Sequence, residues 1–201
     1  MMREIRAQWG PAVKILLLLT VLLGFVYPAT VTVLARIFFP RPADGSLIVK
    51  NGRVAGSRLI GQPFDDPKYF WGRPSATSPN PYNSASSSGS NLGPTNPALV
   101  QAVQQRESLY QKFASQRSLA IPADLLTASG SGLDPDISPA AAFFQVPRVA
   151  RARKLSESSL RKIVQASVQE RQWGFLGEPR VNVLLLNLAL DHGSKNAPIS
   201  Q

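Results

Sequence analysis

The feature that most constrains this chain is one uncharged apolar run near its start, Ile15 to Ala35. The run has 21 residues. At 1.5 Å rise per residue a helix of that length spans about 31 Å, the thickness of a bilayer's hydrocarbon core. No later segment of the chain is as long and as apolar. We therefore expect one membrane span followed by a domain, and a lone span cannot enclose a transport pore.

A cleavable signal peptide is the alternative interpretation of this run. Signal peptides have an apolar region of about 7–15 residues, followed by a small-x-small cleavage site. This run is longer and leads into Leu34-Ala35-Arg36-Ile37-Phe38-Phe39, which lacks such a site. We therefore favour an uncleaved anchor.

The orientation of the anchor is predicted from its flanks. The short N-terminal side carries Arg3, Arg6 and Lys14 against Glu4. Because basic short flanks stay inside while long domains cross largely regardless of charge, we expect a cytoplasmic N-terminus. The predicted boundaries are a cytoplasmic segment 1–11, a transmembrane helix 12–36, an extracytoplasmic domain 37–192 and a disordered tail 193–201.

Charge and cysteine content restrict the functions open to the domain. The chain has a net charge of +10, and after residue 40 there are 18 Lys and Arg against 11 Asp and Glu, which leaves +7. Such a balance favours anionic partners such as lipid headgroups or an acidic protein surface. Nucleic acid is disfavoured, because no base-reading motif is present and the domain is tethered to a membrane. The absence of Cys excludes disulfides, thiolate metal sites and Cys nucleophiles.

Local patterns predict an α+β domain with more helix than strand and a small sheet. Two β-rich runs flank Asn51-Gly52, which is a strong hairpin signal. Three helices are expected to begin at Asn96-Pro97, Ser138-Pro139 and Ser156, with Pro147 breaking or kinking the second. Further predictions are a stiff linker at 39–42, a short turn starting at 122–124, a turn at 173–177 and a helix over 183–190.

The segment Ser75–Pro97 consists almost entirely of Ser, Asn, Pro, Gly and Thr. Composition alone predicts a flexible linker. An ordered functional loop is the alternative, because long irregular segments in compact domains are commonly one or the other.

The candidates for catalysis and metal binding are weak. A Ser nucleophile needs a base, and the only His is His192, close to the chain end. Asp134-x-Asp136 lacks the later Glu of a calcium loop and is more typical of a turn and helix cap. The Gly-rich runs 88–91 and 129–132 lack the Gly-Lys-Ser/Thr of a phosphate loop, although a backbone anion nest stays possible there.

A basic run after residue 147 is the clearest charge cluster. It comprises Arg148, Arg151, Arg153 and Lys154 and continues with Arg161-Lys162. A solvated helix face is one interpretation of it, and a surface for acidic protein or anionic lipid is the other.

The anchor itself carries features that suit a partner helix. Thr20 and Gly24 form a small-xxx-small pair, and Pro28 lies one turn further on. Small residues allow close helix packing in lipid, and a proline frees a backbone carbonyl.

Nine segments together resemble one known family over nearly the whole chain, the C subunit of the potassium-transporting Kdp ATPase (KdpC). They are Gly24-x-x-Tyr27-Pro28, Gly45-Ser46-Leu47-Ile48, Gly56-Ser57-x-Leu59-Ile60-Gly61-Gln62-x-Phe64, Tyr69-Phe70-x-x-Arg73-Pro74-Ser75-Ala76, Tyr82-Asn83, Gly89-Ser90-Asn91-Leu92-Gly93-Pro94, Thr127-Ala128-Ser129-Gly130-Ser131-Gly132-Leu133-Asp134-Pro135, Gln145-x-x-Arg148-Val149-Ala150-x-Ala152-Arg153 and Gly177-Glu178-Pro179-Arg180-Val181-Asn182-x-Leu184-x-Leu186-Asn187. Family motifs inside Ser75–Pro97 favour the ordered loop over the linker.

The resemblance implies a non-catalytic subunit of a high-affinity, ATP-driven potassium import pump in a bacterial plasma membrane. The implied partners are a channel-like subunit that binds K⁺, a P-type ATPase subunit and a small single-span subunit, with membrane lipid around the anchor. The family is also described as a catalytic chaperone that raises the ATPase subunit's affinity for ATP. The expected topology argues against direct contact with cytoplasmic ATP, so we expect no bound cofactor, with ATP and K⁺ handled by the complex.

Two sets of residues follow as candidates. Thr20, Gly24, Tyr27 and Pro28 are expected to pack against a partner helix. The polar loops are expected to dock on the channel-like subunit through Tyr82, Asn83, Ser90, Asn91, Thr127, Ser129, Ser131, Asp134 and Arg148. The alternative function is a free-standing, membrane-anchored envelope enzyme or binding protein, which the missing acid–base set disfavours.

Overall fold

The computed structural model describes residues 2–113 and 120–193, which divide after Leu47 into two compact units. The first unit is built from one long apolar helix. Its elements are α1 (Met2–Val21), a π-helical turn (Leu22–Val26), α2 (Tyr27–Phe38) and α3 (Pro40–Ala43). Residues Ala7–Phe38 are long and apolar enough to cross a membrane, and this segment has no buried residue in its most apolar window.

The second unit is an α+β domain with more helix than strand, as expected. Its elements in chain order are β1 (Leu47–Lys50), β2 (Arg53–Ser57), α4 (Pro97–Gln111), α5 (Ala123–Leu126), β3 (Asp136–Ile137), α6 (Pro139–Arg153), α7 (Glu157–Ala166), β4 (Val168–Gln169), β5 (Arg180–Asn182) and α8 (Val183–Gly193). Strands β1 and β2 form the predicted hairpin, and β3, β5 and β4 form a three-stranded antiparallel sheet with β5 in the centre.

The predicted helix starts are confirmed, because each cap residue bonds the first turn. The side chains of Asn96, Ser138 and Ser156 accept hydrogen bonds from the amides of Ala98, Ala141 and Ser159. These caps satisfy amides that have no partner inside the helix.

Of the two alternatives predicted at Pro147, the break is wrong, because α6 continues through the proline to Arg153, and the kink stays a prediction. Val146 and Val149 are fully buried on either side of the proline. Burial of this apolar face favours a continuous helix over the loss of one backbone hydrogen bond.

Two other local predictions need correction. The expected linker at 39–42 is largely the short helix α3, and the expected turn at 122–124 leads into the short helix α5. The helix over 183–190 and the turn at 173–177 are confirmed. The predicted tail 193–201 lies outside the described residues except for Gly193, where α8 ends.

The hydrophobic core lies where α7 packs on α6 and α8, and where α6 and α8 pack on β5. Its large fully buried side chains are Phe70, Leu125, Val146, Val149, Leu160, Val164, Val181 and Leu186. Unlike these other side chains, Phe70 does not lie on a helix or strand. It comes from an irregular segment between β2 and α4. That segment crosses the core without strand partners, so its backbone polar groups need side-chain partners.

Candidate functional site

The two Gly/Ser-rich segments that the sequence placed far apart form one bonded surface, which we call the double loop (residues 74–92 and 127–134). The Ser75 hydroxyl donates to the Gly132 carbonyl at 2.7 Å. The Ser129 amide donates to the Pro74 carbonyl at 3.1 Å, and the Ser88 amide donates to the Ser131 carbonyl at 3.0 Å. The segment Ser75–Pro97 therefore contains an ordered loop, and the flexible-linker alternative is wrong for this part of it.

Glycine is required where the two halves of the double loop meet. Gly132 has φ +68°, and a Cβ there would lie 2.6 Å from the Ser88 carbonyl oxygen. A Cβ on Gly89 would lie 2.8 Å from the Gly130 carbonyl oxygen. The backbones approach too closely for a side chain at these two positions, which explains the glycines at 89 and 132.

Asp134 fastens the double loop to the domain. Its carboxylate accepts a hydrogen bond from the Arg73 guanidinium at 3.0 Å and another from the Asp136 amide at 3.0 Å. Both members of the Arg73–Asp134 pair are about three-quarters buried. Asp134 therefore holds the start of β3 in place and is not a free surface carboxylate.

The Tyr82 side chain packs inside the same loop and stabilises it. Its backbone has φ +57°, and its hydroxyl donates to the Arg73 carbonyl at 2.6 Å. Burial raises the pKa of this phenol to about 12. The ring also fills the space beside Gly61, where a Cβ would lie 2.4 Å from a ring carbon.

The predicted docking residues divide by exposure. Ser90, Asn91 and Ser131 are exposed on the double loop. Asn83 and Thr127 are partly buried. The Asn83 amide donates to the Ser78 carbonyl in the same loop, and the Thr127 hydroxyl donates to the Ala123 carbonyl in α5. A partner can therefore reach the first three directly.

Ser129 and Arg148 cannot serve as surface docking residues, because both are buried in the isolated chain. Ser129 is 3% exposed, and its hydroxyl has no hydrogen-bond partner in the described part of the chain. Arg148 is 5% exposed and lies over the Trp71 ring, with its guanidinium carbon 3.8 Å from the ring centroid. Sequence reasoning placed this arginine on a basic surface, but its contacts are internal.

The Arg148 guanidinium instead donates hydrogen bonds to the backbone of the irregular segment between β2 and α4. It donates to the carbonyls of Pro67 and Tyr69 at 2.7 and 3.0 Å and to the Gln145 side-chain oxygen at 2.6 Å. Burial lowers its pKa to about 10. A buried cation with this many acceptors is a structural group.

The rest of the basic run is also divided. Arg153 donates to the Lys68 carbonyl at 2.7 Å and to Asp191 at 2.8 Å, so it too ties elements together. Lys154, Arg161 and Lys162 are exposed. The run is therefore not one continuous basic face, because Arg148 and Arg153 are turned into the domain.

The four predicted membrane-packing residues surround a local change of helix type. Gly24 lies in the π-helical turn, where the Tyr27 amide donates to the Leu22 carbonyl, and Pro28 follows immediately. Thr20 lies one residue before α1 ends, and all four residues are exposed in this chain. π-turns commonly accommodate such interruptions of an α-helix.

Comparison with known proteins identifies the family. Residues 9–192 match the family described as KdpC, the c chain of K⁺-transporting ATPase. The chain belongs to the KdpC family.

Curated KdpC relatives are similar over almost their full length. The potassium-transporting ATPase KdpC subunit of Dechloromonas aromatica is 59% identical over 92% of this chain and 97% of its own length. The subunits of Sorangium cellulosum and Methylococcus capsulatus are 60% and 58% identical, again over 92% of this chain and 97% of their own length. The similarity therefore covers the anchor and the domain together.

Two buried amides of this KdpC domain, Gln145 and Asn187, stood within the family segments but were not among the predicted site residues. Gln145 bonds both backbone groups of Trp71, at 2.8 and 3.0 Å. Asn187 bonds both backbone groups of Phe70, at 2.8 and 2.9 Å. The available signal was a single amide within an apolar helical run, as in Leu184-Leu185-Leu186-Asn187-Leu188.

The described residues of this KdpC chain hold no cluster of three or more His, Cys, Asp or Glu side chains. The His192 side chain lies outside the described set. What the described geometry offers is a rigid polar surface on the double loop.

Proposed function

We propose that this chain is a non-catalytic accessory subunit of an ATP-driven potassium import pump. The observation that carries the proposal is the match of residues 9–192 to the KdpC family, with relatives near 59% identity named as potassium-transporting ATPase subunits. The partners we propose are the three that the resemblance implies: a channel-like K⁺-binding subunit, a P-type ATPase subunit and a small single-span subunit.

We propose that residues 37–192 face the outside of the bacterial plasma membrane and residues 1–11 the cytoplasm, with the span at 12–36. The basic flank Arg3, Arg6 and Lys14 supports this orientation. In this arrangement the domain has no access to cytoplasmic ATP. An effect on the ATP affinity of the ATPase subunit, the chaperone role described for the family, is then transmitted through the other subunits.

The double loop is the proposed docking surface for the channel-like subunit. Its exposed side chains Ser90, Asn91 and Ser131 stand on a backbone held by ion pairing and by hydrogen bonds between its halves. A surface fixed before binding loses little conformational entropy when a partner arrives. Neutral polar side chains also avoid repelling an incoming cation, which matters for a domain of charge +7.

The test is extraction of membranes from cells that express the tagged chain with its neighbouring pump subunits, in mild detergent, followed by sizing. We expect co-migration with two much larger membrane proteins. A single species of about the 21.8 kDa chain mass, carrying its own hydrolytic or binding activity, would favour the anchored enzyme or binding protein instead.

Orientation is tested separately in this Cys-free chain. A cysteine at Ser86, which is exposed on the double loop, is expected to react with a membrane-impermeant thiol reagent in intact cells. A cysteine at Gln8 is the matched control and is expected to react only after lysis. The reverse pattern would place the domain in the cytoplasm.

A further inference from the structure

The π-helical turn in the long apolar helix leaves backbone carbonyls without amide donors. In an α-helix each carbonyl accepts a hydrogen bond from the amide four residues ahead. Here the Tyr27 amide donates five residues back, to the Leu22 carbonyl. Pro28 follows and has no amide to donate. The Leu23 carbonyl therefore loses both amides that could reach it, the one four residues ahead and the one five residues ahead.

A second carbonyl of the same turn is also left unpaired. Val26 is the N-cap of α2, so its carbonyl accepts the first hydrogen bond of that helix. The Ala29 amide is then the single backbone donor for the carbonyls of both Gly24 and Phe25, because the proline supplies none. Within the described helix, two of the three carbonyls at 23–25 thus have no backbone partner.

No serine or threonine of this helix is placed to supply the missing bonds. A hydroxyl side chain on a helix bonds the carbonyl three or four residues back, so only one at positions 26–29 could reach the turn. Those positions hold Val, Tyr, Pro and Ala. The next residue, Thr30, already donates its hydroxyl to the Val26 carbonyl at 2.8 Å.

The depth of the turn in the span removes the other donors. The carbonyls at 23–25 lie near the middle of the uncharged run Ile15–Ala35 and at least about 12 Å along the helix from either end of it. At that depth a span is surrounded by hydrocarbon, where water and lipid headgroups supply no donor and an unpaired backbone group is costly. The donor must therefore come from another protein segment. The Gly24 backbone is open to its approach, because no atom lies within 4 Å of a Cβ built there.

We propose that a partner membrane helix donates a carboxamide, from an Asn or Gln side chain, to the unpaired carbonyls of this turn. A carboxamide NH₂ group carries two hydrogens and can serve two acceptors. A lysine or arginine could also serve two, but a charge at the centre of a bilayer is costly. The turn is then a recognition site for a polar partner helix, beyond the small-residue packing expected around Gly24. This proposal rests on the membrane span and the pump assembly proposed above.

The direct measurement is the carbonyl chemical shift of Leu23, by solid-state NMR of the full-length chain in nanodiscs. The chain is labelled with carbonyl-¹³C leucine and ¹⁵N glycine, which selects each leucine that precedes a glycine, and is combined with unlabelled pump subunits. Such pairs occur at 23–24, 92–93 and 176–177. Leu176 is the matched reference, because its carbonyl lies outside the span and accepts from the Gln172 amide at 2.9 Å.

In the assembled complex we expect the Leu23 signal to move downfield from its position in the chain alone, because hydrogen bonding deshields a carbonyl carbon. The Leu176 signal should stay where it is. Replacing one Asn or Gln of the partner spans with Leu should return the Leu23 signal to its position in the chain alone, which identifies the donor as a carboxamide.

Restoring the missing amide tests the same bond by a second route. Pro28→Ala supplies an amide that can pair with a carbonyl of the turn inside the helix itself. We expect the share of the chain found in the complex to fall about threefold, the effect of one hydrogen bond between membrane helices. Pro11→Ala is the matched control and should leave the share unchanged, because Pro11 is an exposed proline of α1 that lies before the uncharged run.

Three results would overturn the proposal. They are a Leu23 signal that assembly does not move, a shifted signal that no Asn or Gln substitution in the partner spans reverses, and equal yields of the Pro28 and Pro11 variants. If the parent chain assembles and the Leu23 signal does not move, this proposal fails alone. If no larger subunit co-migrates with the parent chain, the pump assembly fails as well.

Discussion

The Asn187 carboxamide makes both of its hydrogen bonds to the backbone of one residue, Phe70: it accepts from the amide at 2.8 Å and donates to the carbonyl at 2.9 Å. The pair reproduces the bonding of a β-bridge with a side chain in place of a strand. The Gln145 carboxamide makes the same two hydrogen bonds to the backbone amide and carbonyl of the next residue, Trp71. Two adjacent residues of an irregular segment can therefore lie in the core without unpaired backbone groups.

Asn187→Leu is expected to destabilise the domain by about 3 kcal/mol, because it leaves a buried amide and a buried carbonyl unpaired. The measurement is chemical unfolding of the detergent-solubilised chain, followed by circular dichroism. Gln105→Leu removes an exposed amide from α4 and is the control, with an expected change within about 0.5 kcal/mol. Equal effects of the two substitutions would contradict the role given to Asn187.

Ser90→Arg is expected to reduce co-purification of the chain with its pump partners at least about tenfold, because a large charged side chain would block the proposed docking surface. Ser90 is exposed, so folding should be unaffected. Ser158→Arg places the same change on exposed α7 and is the control. If the Ser90 variant assembles and transports K⁺ with unchanged apparent affinity, the double loop is not the docking surface.

Asp134→Ala is not a clean test of docking, because Asp134 supports the loop through Arg73. We expect this variant to lose domain stability, and the loss should be measurable without any partner.

Gly24→Leu is expected to lower the yield of assembled complex without disturbing the chain itself. No atom lies within 4 Å of a Cβ built at Gly24, so the added side chain meets only what packs against the helix from outside. Ala29→Leu, at another exposed small residue of the same helix, is the control. Detergent extraction and sizing measure the yield, and an unchanged yield for the Gly24 variant would place the partner helix elsewhere.

Stability is expected to fall at alkaline pH, in part through Tyr82. Its pKa is raised to about 12 when folded, against about 10 for a free tyrosine. Between these values the unfolded chain releases a proton that the folded chain retains, so the stabilising contribution present below pH 10 is lost as pH rises to 12. Tyr82→Phe should reduce the decline between pH 8 and pH 11 by about 1.4 kcal/mol.

The readout is the unfolding free energy at pH 8, 10 and 11. Burial also raises the pKa of Tyr110, so a part of the decline should persist in the variant. An identical pH dependence of the variant and the parent would show that folding does not raise the pKa of the Tyr82 phenol.

Some features of this protein follow from the sequence alone, because they depend on neighbours along the chain. The apolar run sets the helix over Ala7–Phe38, Asn51-Gly52 sets the hairpin, and Ser138-Pro139 sets the start of α6. Family motifs were also sufficient to place the chain in the KdpC family, because they are linear patterns.

Tertiary structure alone decided the roles of the polar residues. Arg148 and Lys154 belong to the same basic run, yet one is buried over Trp71 and the other is exposed. Ser75 and Gly132 meet although 57 residues separate them. Burial and pairing depend on which distant segments pack together, and the irregular segment at Phe70 has no local periodicity that would predict its passage through the core. For that reason the sequence predicted where helices begin, whereas only the folded domain showed which amides and guanidinium groups hold it together.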